Sequence, residues 1–341
     1  MKIAIDAMGG DFAPEEIVRG AVEAVKAYPV ELLLVGQKEA VESTLRKEGY
    51  LGEAITVVDA PEVIGMNEHP VNAIKEKKKA SIVVATELVR DGEAQAVVSA
   101  GNTGAAMASA LLRLGRIKGV ERPAIGSPFP TLRGISLLAD AGANADCRPN
   151  QLVQFAQMGS IYAERVWGIS NPSVGLLNIG EEEAKGNELT LEVYARLKES
   201  GLNFIGNVEG RDIPAGKAQV VVCDGFVGNV VLKLTEGLAG AIFAMMKEEF
   251  QANLVARAGS ALLLPGLRKI KKRMDYTEYG GAPLLGINGI SIISHGSSNA
   301  KAIRNAIRAA KEAVEKDVVG TIARVIEERN QGKEEGEEDE K

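Results

Sequence analysis

The sequence predicts an α/β protein of the αβα layered class, built on a mostly parallel sheet. Short apolar runs alternate with amphipathic segments along most of its 341 residues. The runs typical of strands lie at Lys2–Ile5, Glu31–Val35, Ile55–Val58, Ala96–Ser99, Ile135–Ala139, Val174–Asn178, Phe204–Gly206, Val220–Cys223 and Ile290–Ser294. Helical patterns between them lie at Pro14–Tyr28, Ala80–Asp91, Asn150–Trp167 and Glu188–Ser200. This alternation favours a parallel sheet with helices on both faces.

Composition narrows the class of protein without naming a function. Apolar residues make up 45% and charged residues 25%, which is ordinary for a soluble globular protein. The net charge of −6 argues against a general nucleic-acid binder. Cys147 and Cys223 lie far apart without a CxxC pattern, so we expect no disulfide and no metal site. The start of the chain does not resemble a signal peptide, and no uninterrupted apolar stretch has the length of a membrane span, so we expect a cytoplasmic protein.

The domain organisation follows from where the alternation changes. We expect residues 1–330 to form a single α/β catalytic domain. A subdomain at about 120–285 is an alternative division, because the irregular stretch Glu121–Leu132 and a long helical region after Gly225 interrupt the pattern. Residues 331–341 carry too much charge and too little apolar area to pack, which predicts a disordered acidic tail.

The most informative stretch is AVVSAGNTGAAMASA at 96–110. A buried strand is followed by a small polar turn and then by the start of a helix. Glycine allows close approach to a ligand, and the free N–H groups of a first helical turn attract anions. The turn therefore predicts a phosphate site, with an ordinary strand-to-helix connection as the alternative. The candidate ligands are Gly101, Asn102, Thr103 and Gly104.

The segment SHGSSN, from residue 294 to 299, has the same strand, turn and helix pattern. His295 is one of two histidines in the chain. A histidine among Gly296, Ser297 and Ser298 can act as an acid, a base or a phosphate ligand near neutral pH. A helix cap or a hydrogen-bonded structural imidazole is the alternative.

Other predicted strands also end in polar residues. In parallel sheets, ligands bind at the carboxyl ends of strands, so these residues are candidates for the same site. Helix capping explains the Asp and Asn residues equally well, and a surface ion pair explains the lysine. The candidates are Asp6 and Asp11 after the first strand, then Asp140, Asn144, Lys185, Asp224 and Asn229.

Several nucleotide and hydrolase motifs are absent. The chain has no GxxxxGKS or GxxxxGKT motif, no GxGxxG after a strand, no GxSxG and no HExxH. We therefore expect neither a bound nucleotide nor a metal. Without an obvious protein nucleophile, the attacking group is best supplied as a substrate, and inorganic phosphate fits the predicted anion site.

A basic and apolar segment at Asn253–Tyr276 differs from the rest of the chain. We predict a helical hairpin at 250–276, with two helical pieces that meet near residues 262–266. An apolar tip beside a basic stripe is typical of contact with anionic lipid. A dimer interface and a dock for an acidic protein are the alternatives. The residues predicted to contact the membrane are Leu262, Leu263, Leu264, Leu267, Lys269 and Lys272.

Six motifs in order resemble the bacterial phosphate acyltransferase family over residues 1–320. They are IAIDAMGGDFAPEEIVRGAVEA, SAGNTGAAMASA, LLADAGANADC, EEEAKGNE, CDGFVGNVVLK and SHGSSNAKAIRNAI. The resemblance implies transfer of a long-chain acyl group from the thioester of acyl carrier protein to inorganic phosphate. It also implies a homodimer with a fold similar to phosphotransacetylase and isopropylmalate dehydrogenase, no cofactor, and peripheral membrane association. The acyl phosphate product would feed a membrane glycerol-3-phosphate acyltransferase in phospholipid synthesis.

Within that reaction we assign roles as hypotheses. Asn102 and Thr103 hold phosphate, and Lys185 offsets its charge. His295 stabilises the oxyanion or protonates the leaving sulfur, while Asp224 and Asn229 orient these groups. The carrier protein is acidic, so we expect basic residues to meet it. The candidates are Arg113, Arg116, Lys118 and Arg122, with solvent-exposed charge as the alternative.

Overall fold

The computed structural model describes residues 1–274 and 276–339, without the side chains of 254, 261, 271–274, 276 and 330–339. The strands are β1 Lys2–Asp6, β2 Glu31–Gly36, β3 Ile55–Asp59, β4 Ala96–Ser99, β5 Ala124–Thr131, β6 Gly134–Ala139, β7 Val174–Leu177, β8 Phe204–Val208, β9 Val220–Val222, β10 Ala282–Leu285 and β11 Ile290–Ile293. The helices are α1 Glu15–Ala27, α2 Lys38–Lys47, α3 Pro70–Glu76, α4 Ser81–Arg90, α5 Thr103–Arg113, α6 Pro149–Trp167, α7 Glu188–Lys198, α8 Asp212–Ala215, α9 Gly225–Gln251, α10 Leu254–Met274, α11 Ala300–Glu315 and α12 Val318–Asp339.

One sheet of 11 strands runs through the described chain in the order β3-β2-β1-β4-β11-β10-β5-β6-β9-β7-β8. The first five strands in that order are mutually parallel, and so are the last four. Between them, β10 and β5 form three successive antiparallel pairs with their neighbours, so the two parallel blocks run in opposite directions. The carboxyl ends of the blocks still approach each other, because Ile293 of β11 and Ala141 after β6 share one buried apolar cluster.

The sheet is covered on both faces, which confirms the predicted αβα class. Alternate residues of β1 point to opposite faces, as the period of a strand requires. Ile3 and Ile5 join the cluster that includes residues of α1, α6 and α11, whereas Ala4 joins the cluster that includes residues of α4 and α5. Burial on both faces explains why the central strands are continuous apolar runs in the sequence.

The stretch Glu121–Leu132, which we expected to be irregular, contains β5 instead. Pro128 and Pro130 lie within β5, and proline cannot donate a backbone hydrogen bond. In the structure β5 pairs with β10 only at its first two residues, and from Gly126 onward it pairs with β6 alone. Proline is tolerated where one edge of a strand lacks a partner, so the expectation was wrong for a local reason.

The helical hairpin is present, but its turn lies elsewhere than predicted. α9 and α10 are joined at Ala252 and Asn253, and the side-chain oxygen of Asn253 accepts a hydrogen bond of 2.8 Å from Ala256 N. The prediction that two pieces meet near residues 262–266 is wrong, because Pro265 lies inside α10. Asn is a strong helix start signal, whereas one proline in an exposed helix need not end it.

Two helices differ from what composition indicated. α12 continues to Asp339, so helical backbone enters the stretch predicted to be a tail, while residues 340 and 341 lie outside the described chain. Glu and Lys are good helix formers, which accounts for this extension.

α9 is the one described helix whose length and mean hydropathy of 1.4 would suffice to cross a bilayer. Its sequence is interrupted by Lys233 and Glu236, so no uninterrupted apolar run revealed it.

Candidate active site

Three neighbouring strands, β1, β4 and β11, bring the predicted phosphate loops together at their carboxyl ends. The backbone N–H of Asp11 donates to the carbonyl of Gly296 over 2.8 Å. A Cβ added at Gly9 would lie 2.8 Å from the amide nitrogen of Gly101. Gly10 has a φ of +112° and its Cβ position is 3.0 Å from Gly296 O, so the close approach depends on glycine. These loops therefore form one edge rather than separate sites.

The N-terminus of α5 is open to a ligand through its backbone. Asn102 caps the helix, since its side-chain oxygen accepts from Ala105 N over 3.0 Å. Its side-chain nitrogen donates to Met66 O over 3.0 Å, so both ends of this amide are used inside the protein. Within the described part of the chain, the amides of Thr103 and Gly104 have no hydrogen-bond acceptor. The hydrogen-bond donors that this turn can offer to a phosphate are thus backbone N–H groups.

The N-terminus of α11, which the sequence makes look equivalent, is occupied by the chain itself. Glu16 of α1 accepts a hydrogen bond of 2.7 Å from Ala300 N, and Asn299 accepts one of 3.0 Å from Ala302 N. The hydroxyl of Ser298 is buried and donates to His295 O over 2.6 Å, which closes the turn. The carboxylate of Glu16 would repel an anion here, and no sequence pattern links it to α11.

His295 is exposed at this edge, and both of its ring nitrogens lie close to polar side chains. Nδ1 lies 2.7 Å from the hydroxyl oxygen of Ser297 and accepts from Ser297 N over 3.2 Å. Nε2 lies 3.5 Å from Nζ of Lys233, which also forms an ion pair of 3.1 Å with Glu236. Lys233 is on α9, so this contact joins the two blocks of the sheet.

Lys233 was missed as a site residue, although a signal for it exists in the sequence. It is the last residue of CDGFVGNVVLK and lies four positions after Asn229. On a helix that spacing places two side chains on the same face. The predicted site residues Asp224 and Asn229 lie at the start of α9, and Lys233 continues the face that Asn229 begins.

Asp6 is a buried carboxyl group that supports the loop at Gly101–Gly104 from inside the protein. It is 3% exposed, and the hydroxyl of Ser99 donates to its Oδ2 over 2.7 Å. That hydroxyl oxygen in turn accepts from Gly101 N over 3.1 Å. Burial raises the pKa of Asp6, while hydrogen bonds from Ser81 and Ser99 act in the opposite direction. Asp6 borders a cavity of about 10 Å³, which is room for about one water molecule. The carboxyl therefore fixes the shape of the loop.

Asp140 and Asn144 brace the start of α9 from inside the protein. Asp140 is fully buried and accepts five hydrogen bonds of 2.7–3.1 Å, from the amides of residues 125, 142, 143 and 144 and from the side chain of Asn144. Burial raises the pKa of Asp140 above its ordinary value, while the hydrogen bonds from residues 125, 143 and 144 act in the opposite direction. Asn144 O accepts from Gly225 N over 2.7 Å. Their polar atoms are engaged within the fold and set the position of the helix.

The remaining predicted residues lie near the second block. Asp224 caps α9, since it accepts from Val227 N over 2.9 Å. Asn229 is exposed beside Gly142, whose Cβ position lies 3.6 Å from Asn229 Cβ. Lys185 is exposed in the loop after β7, where its carbonyl accepts from Asn178 over 2.9 Å. Among the described residues, no hydrogen bond or ion pair joins the ammonium group of Lys185 to the loops around Thr103 and His295 or to the start of α9.

Neither cysteine is suited to act as a nucleophile. Burial raises the pKa of Cys147 to about 12 and that of Cys223 well above its ordinary value. Only a thiolate attacks a carbonyl efficiently, so neither side chain suits covalent catalysis. Within the described residues, no group of His, Cys, Asp and Glu side chains is arranged to hold a metal ion.

Gly228 offers a test of how tightly α9 is seated. A Cβ at Gly228 would lie 2.0 Å from the carbonyl oxygen of Asp140, whereas a Cβ at Gly240 of the same helix meets nothing within 4 Å. We expect Gly228→Ala to lower the unfolding free energy by about 1–3 kcal/mol, measured by urea denaturation, because backbone must move. Gly240→Ala is the matched control and should stabilise by up to about 1 kcal/mol. Equal effects of the two changes would contradict the close packing.

The architecture of the sheet and its helices is similar to that of several solved structures. A phosphotransacetylase from Streptococcus pyogenes aligns with a TM-score of 0.63 at 19% identity, covering 93% of this chain and 94% of that one. A 4-hydroxythreonine-4-phosphate dehydrogenase from Klebsiella pneumoniae aligns with a TM-score of 0.52 at 14% identity, covering 92% and 99%. These likenesses show the fold: this is an α/β protein with the same architecture as the phosphotransacetylase.

Sequence comparison gives the family. The family model described as "Fatty acid synthesis protein" matches residues 1–321 of the sequence. The phosphate acyltransferase of Desulfitobacterium hafniense strain DSM 10664 / DCB-2 is 58% identical over 327 residues, 96% of this chain and 98% of that protein. The phosphate acyltransferase of Pelotomaculum thermopropionicum is 57% identical, and the alignment covers 96% of this chain and 95% of that protein. The chain belongs to the phosphate acyltransferase family of fatty acid and phospholipid synthesis.

Proposed function

We propose that this protein transfers a long-chain acyl group from the thioester of acyl carrier protein to inorganic phosphate. A phosphate oxygen attacks the thioester carbonyl carbon, the carbon–sulfur bond breaks, and the leaving thiolate takes a proton. The products are acyl phosphate and free carrier protein. The observation that carries this proposal is the edge where the open N-terminus of α5 and His295 follow the neighbouring strands β4 and β11, because that edge combines anion donors with an acid or oxyanion donor.

The parts of the edge have separate roles in this reaction. The amides of Thr103 and Gly104 hold phosphate and aim one of its oxygens. His295, with the positive charge of Lys233 3.5 Å from its Nε2, stabilises the oxyanion or protonates the leaving sulfur. Positioning of this kind can contribute on the order of 7–11 kcal/mol to lowering a barrier. Lys185 and Asn229 act on phosphate and substrate from the second block of the sheet.

A phosphate-dependence assay tests the proposal. The purified full chain is incubated with palmitoyl-carrier protein, with and without inorganic phosphate, while thiol release and acyl phosphate are measured. We expect one thiol and one acyl phosphate per turnover, and no release without phosphate. Faster turnover with acyl-CoA would instead favour the phosphotransacetylase-like alternative. No turnover with either donor would favour a non-catalytic scaffold.

We further propose that the hairpin of α9 and α10 contacts a membrane surface, where a glycerol-3-phosphate acyltransferase would use the acyl phosphate. Leu262 and Leu263 of α10 are 84% and 58% exposed, and exposed Lys269 lies on the same helix. Leu264 and Leu267 instead line a groove between α9 and α10. For Lys272 the side chain lies outside the described residues. The corrected position of the turn makes this contact the side of α10 rather than its tip.

Vesicle flotation checks the membrane contact. Leu263→Glu should reduce binding to vesicles that contain anionic lipid by several fold, because a charge would enter the apolar layer. Leu51→Glu is the matched control, since Leu51 is 98% exposed and lies outside the hairpin. Unchanged flotation of Leu263→Glu would exclude this face as the contact.

We also propose a homodimer that covers the apolar face of α9. Among its helix residues only Gly225 and Gly228 are buried. Large side chains repeat every three or four positions along the exposed face, and contiguous patches of this kind mark interaction sites. They are Phe226, Val230, Leu234, Leu238, Ile242 and Met245. Light scattering of the purified chain should give twice the 36.0 kDa of one chain; a single-chain mass at micromolar concentration would contradict it.

A further inference from the structure

We propose that Arg116, Arg122 and Arg148 form a pocket that binds a phosphate-type oxyanion. The inference rests on the proposed function and names a binding site for that reaction. Two sources could supply the anion: free inorganic phosphate, or the phosphodiester that joins a pantetheine arm to its carrier protein. Both present oxygens to a planar guanidinium in the same geometry.

The pocket is concave and lined mainly by charged side chains. It has a volume of about 480 Å³ and includes the three arginines together with Glu121, Asp146 and Gln151. The carboxylate of Glu121 accepts a hydrogen bond from the side chain of Asn150. Asp146 is the one other carboxylate in the lining. Three cations against two anions, one of them already hydrogen-bonded, leave an excess of positive charge.

The three guanidinium groups lack the partners that surface arginines usually find. Within the described residues none of them forms an ion pair with a carboxylate. Arg122 lies 3.5 Å from the side-chain oxygen of Asn144, and Arg116 donates to the carbonyl of Glu121. By contrast Arg113, another of the basic residues expected to meet the carrier protein, is paired with Glu87 at 3.3 Å. The three guanidinium groups therefore keep hydrogen-bonding capacity for a ligand in this pocket.

The position of the pocket connects it with the candidate active site. Asn144, which Arg122 approaches, is held by Asp140 in the loop after β6. The same loop contains Gly142, which lies against Asn229. The pocket therefore occupies the outer side of a loop whose other contacts seat α9. An anion bound there would share this loop with Asn229 and would not occupy the open N-terminus of α5.

Calorimetric titration of the full chain tests this pocket without relying on turnover. The probes are phosphopantetheine, pantetheine and inorganic phosphate, each with the wild type and with the double variant Arg122→Gln, Arg148→Gln. The matched control is Arg46→Gln, Arg211→Gln, which removes two arginines that are 71% and 76% exposed elsewhere. We expect the dissociation constant of one phosphate-bearing probe to rise about tenfold or more in the first variant only. Arg122→Lys, Arg148→Lys should recover part of the affinity, because charge is kept but the bidentate geometry is lost.

Each outcome decides the matter. Weaker binding of phosphopantetheine alone supports the pocket and assigns it to the phosphate of the pantetheine arm. Weaker binding of inorganic phosphate supports the pocket and assigns it to the free anion. Unchanged binding of both probes, or equal loss in the control variant, overturns the proposal. A protein that binds these probes through the arginines but shows no acyl transfer would refute the proposed function and leave the pocket standing.

Discussion

Asp140→Ala is expected to lower the free energy of unfolding by about 2–4 kcal/mol. Asp140 is fully buried and accepts five hydrogen bonds, four of them from backbone amides. Alanine would leave these amides without an acceptor in a place that water enters poorly. The relief of burying a charge offsets part of this cost, which keeps the loss below the sum of the individual bonds. Urea denaturation followed by circular dichroism measures the change.

The same substitution should also reduce turnover in the protein that remains folded. Asn144, which Asp140 holds, accepts from Gly225 at the first residue of α9, and Lys233 lies further along that helix. Asp146→Ala is the matched control, because Asp146 is an exposed carboxylate close by in the sequence. Its effect on stability should stay within about 0.5 kcal/mol. If Asp140→Ala were equally mild, the carboxylate would not brace α9.

His295→Ala is expected to reduce kcat by about 100-fold to 1,000-fold, as the loss of one oxyanion donor does in other enzymes. Lys233→Met should give a loss of similar kind, because its ammonium group lies 3.5 Å from His295 Nε2. Residues that act as one unit show non-additive effects, so the double variant should lose little more than the worse single variant. Steady-state rates with acyl-carrier protein and phosphate measure all three.

The control for this cycle is Lys26→Met, which removes an exposed lysine in the last turn of α1. It should leave kcat unchanged and all four proteins should unfold at similar urea concentrations. Multiplicative losses in the double variant would mean that Lys233 and His295 act separately. An unchanged kcat in His295→Ala would remove the histidine from the proposed mechanism.

The loops at Gly101–Gly104 and His295–Ser298 look alike in the sequence but differ in the structure. The loops at Gly101–Gly104 and His295–Ser298 were predicted as one kind of element, and each is a strand, a turn and a helix start. Their availability differs because Glu16, distant in sequence, closes α11 whereas nothing in the described chain closes the amides of Thr103 and Gly104. A local pattern specifies a helix cap but not which side chain arrives from another element.

The sequence alone predicts the layered α/β class, the strand ends that carry polar residues and, through six motifs, the family. These properties depend on apolar periodicity and on short segments, which are local. Three features become visible only in the folded chain: β5 and β10 reverse the sheet, the hairpin turns at Asn253, and Lys233 lies close to His295. Such features depend on which elements pack together, and packing joins residues whose separation along the chain leaves no periodic signal.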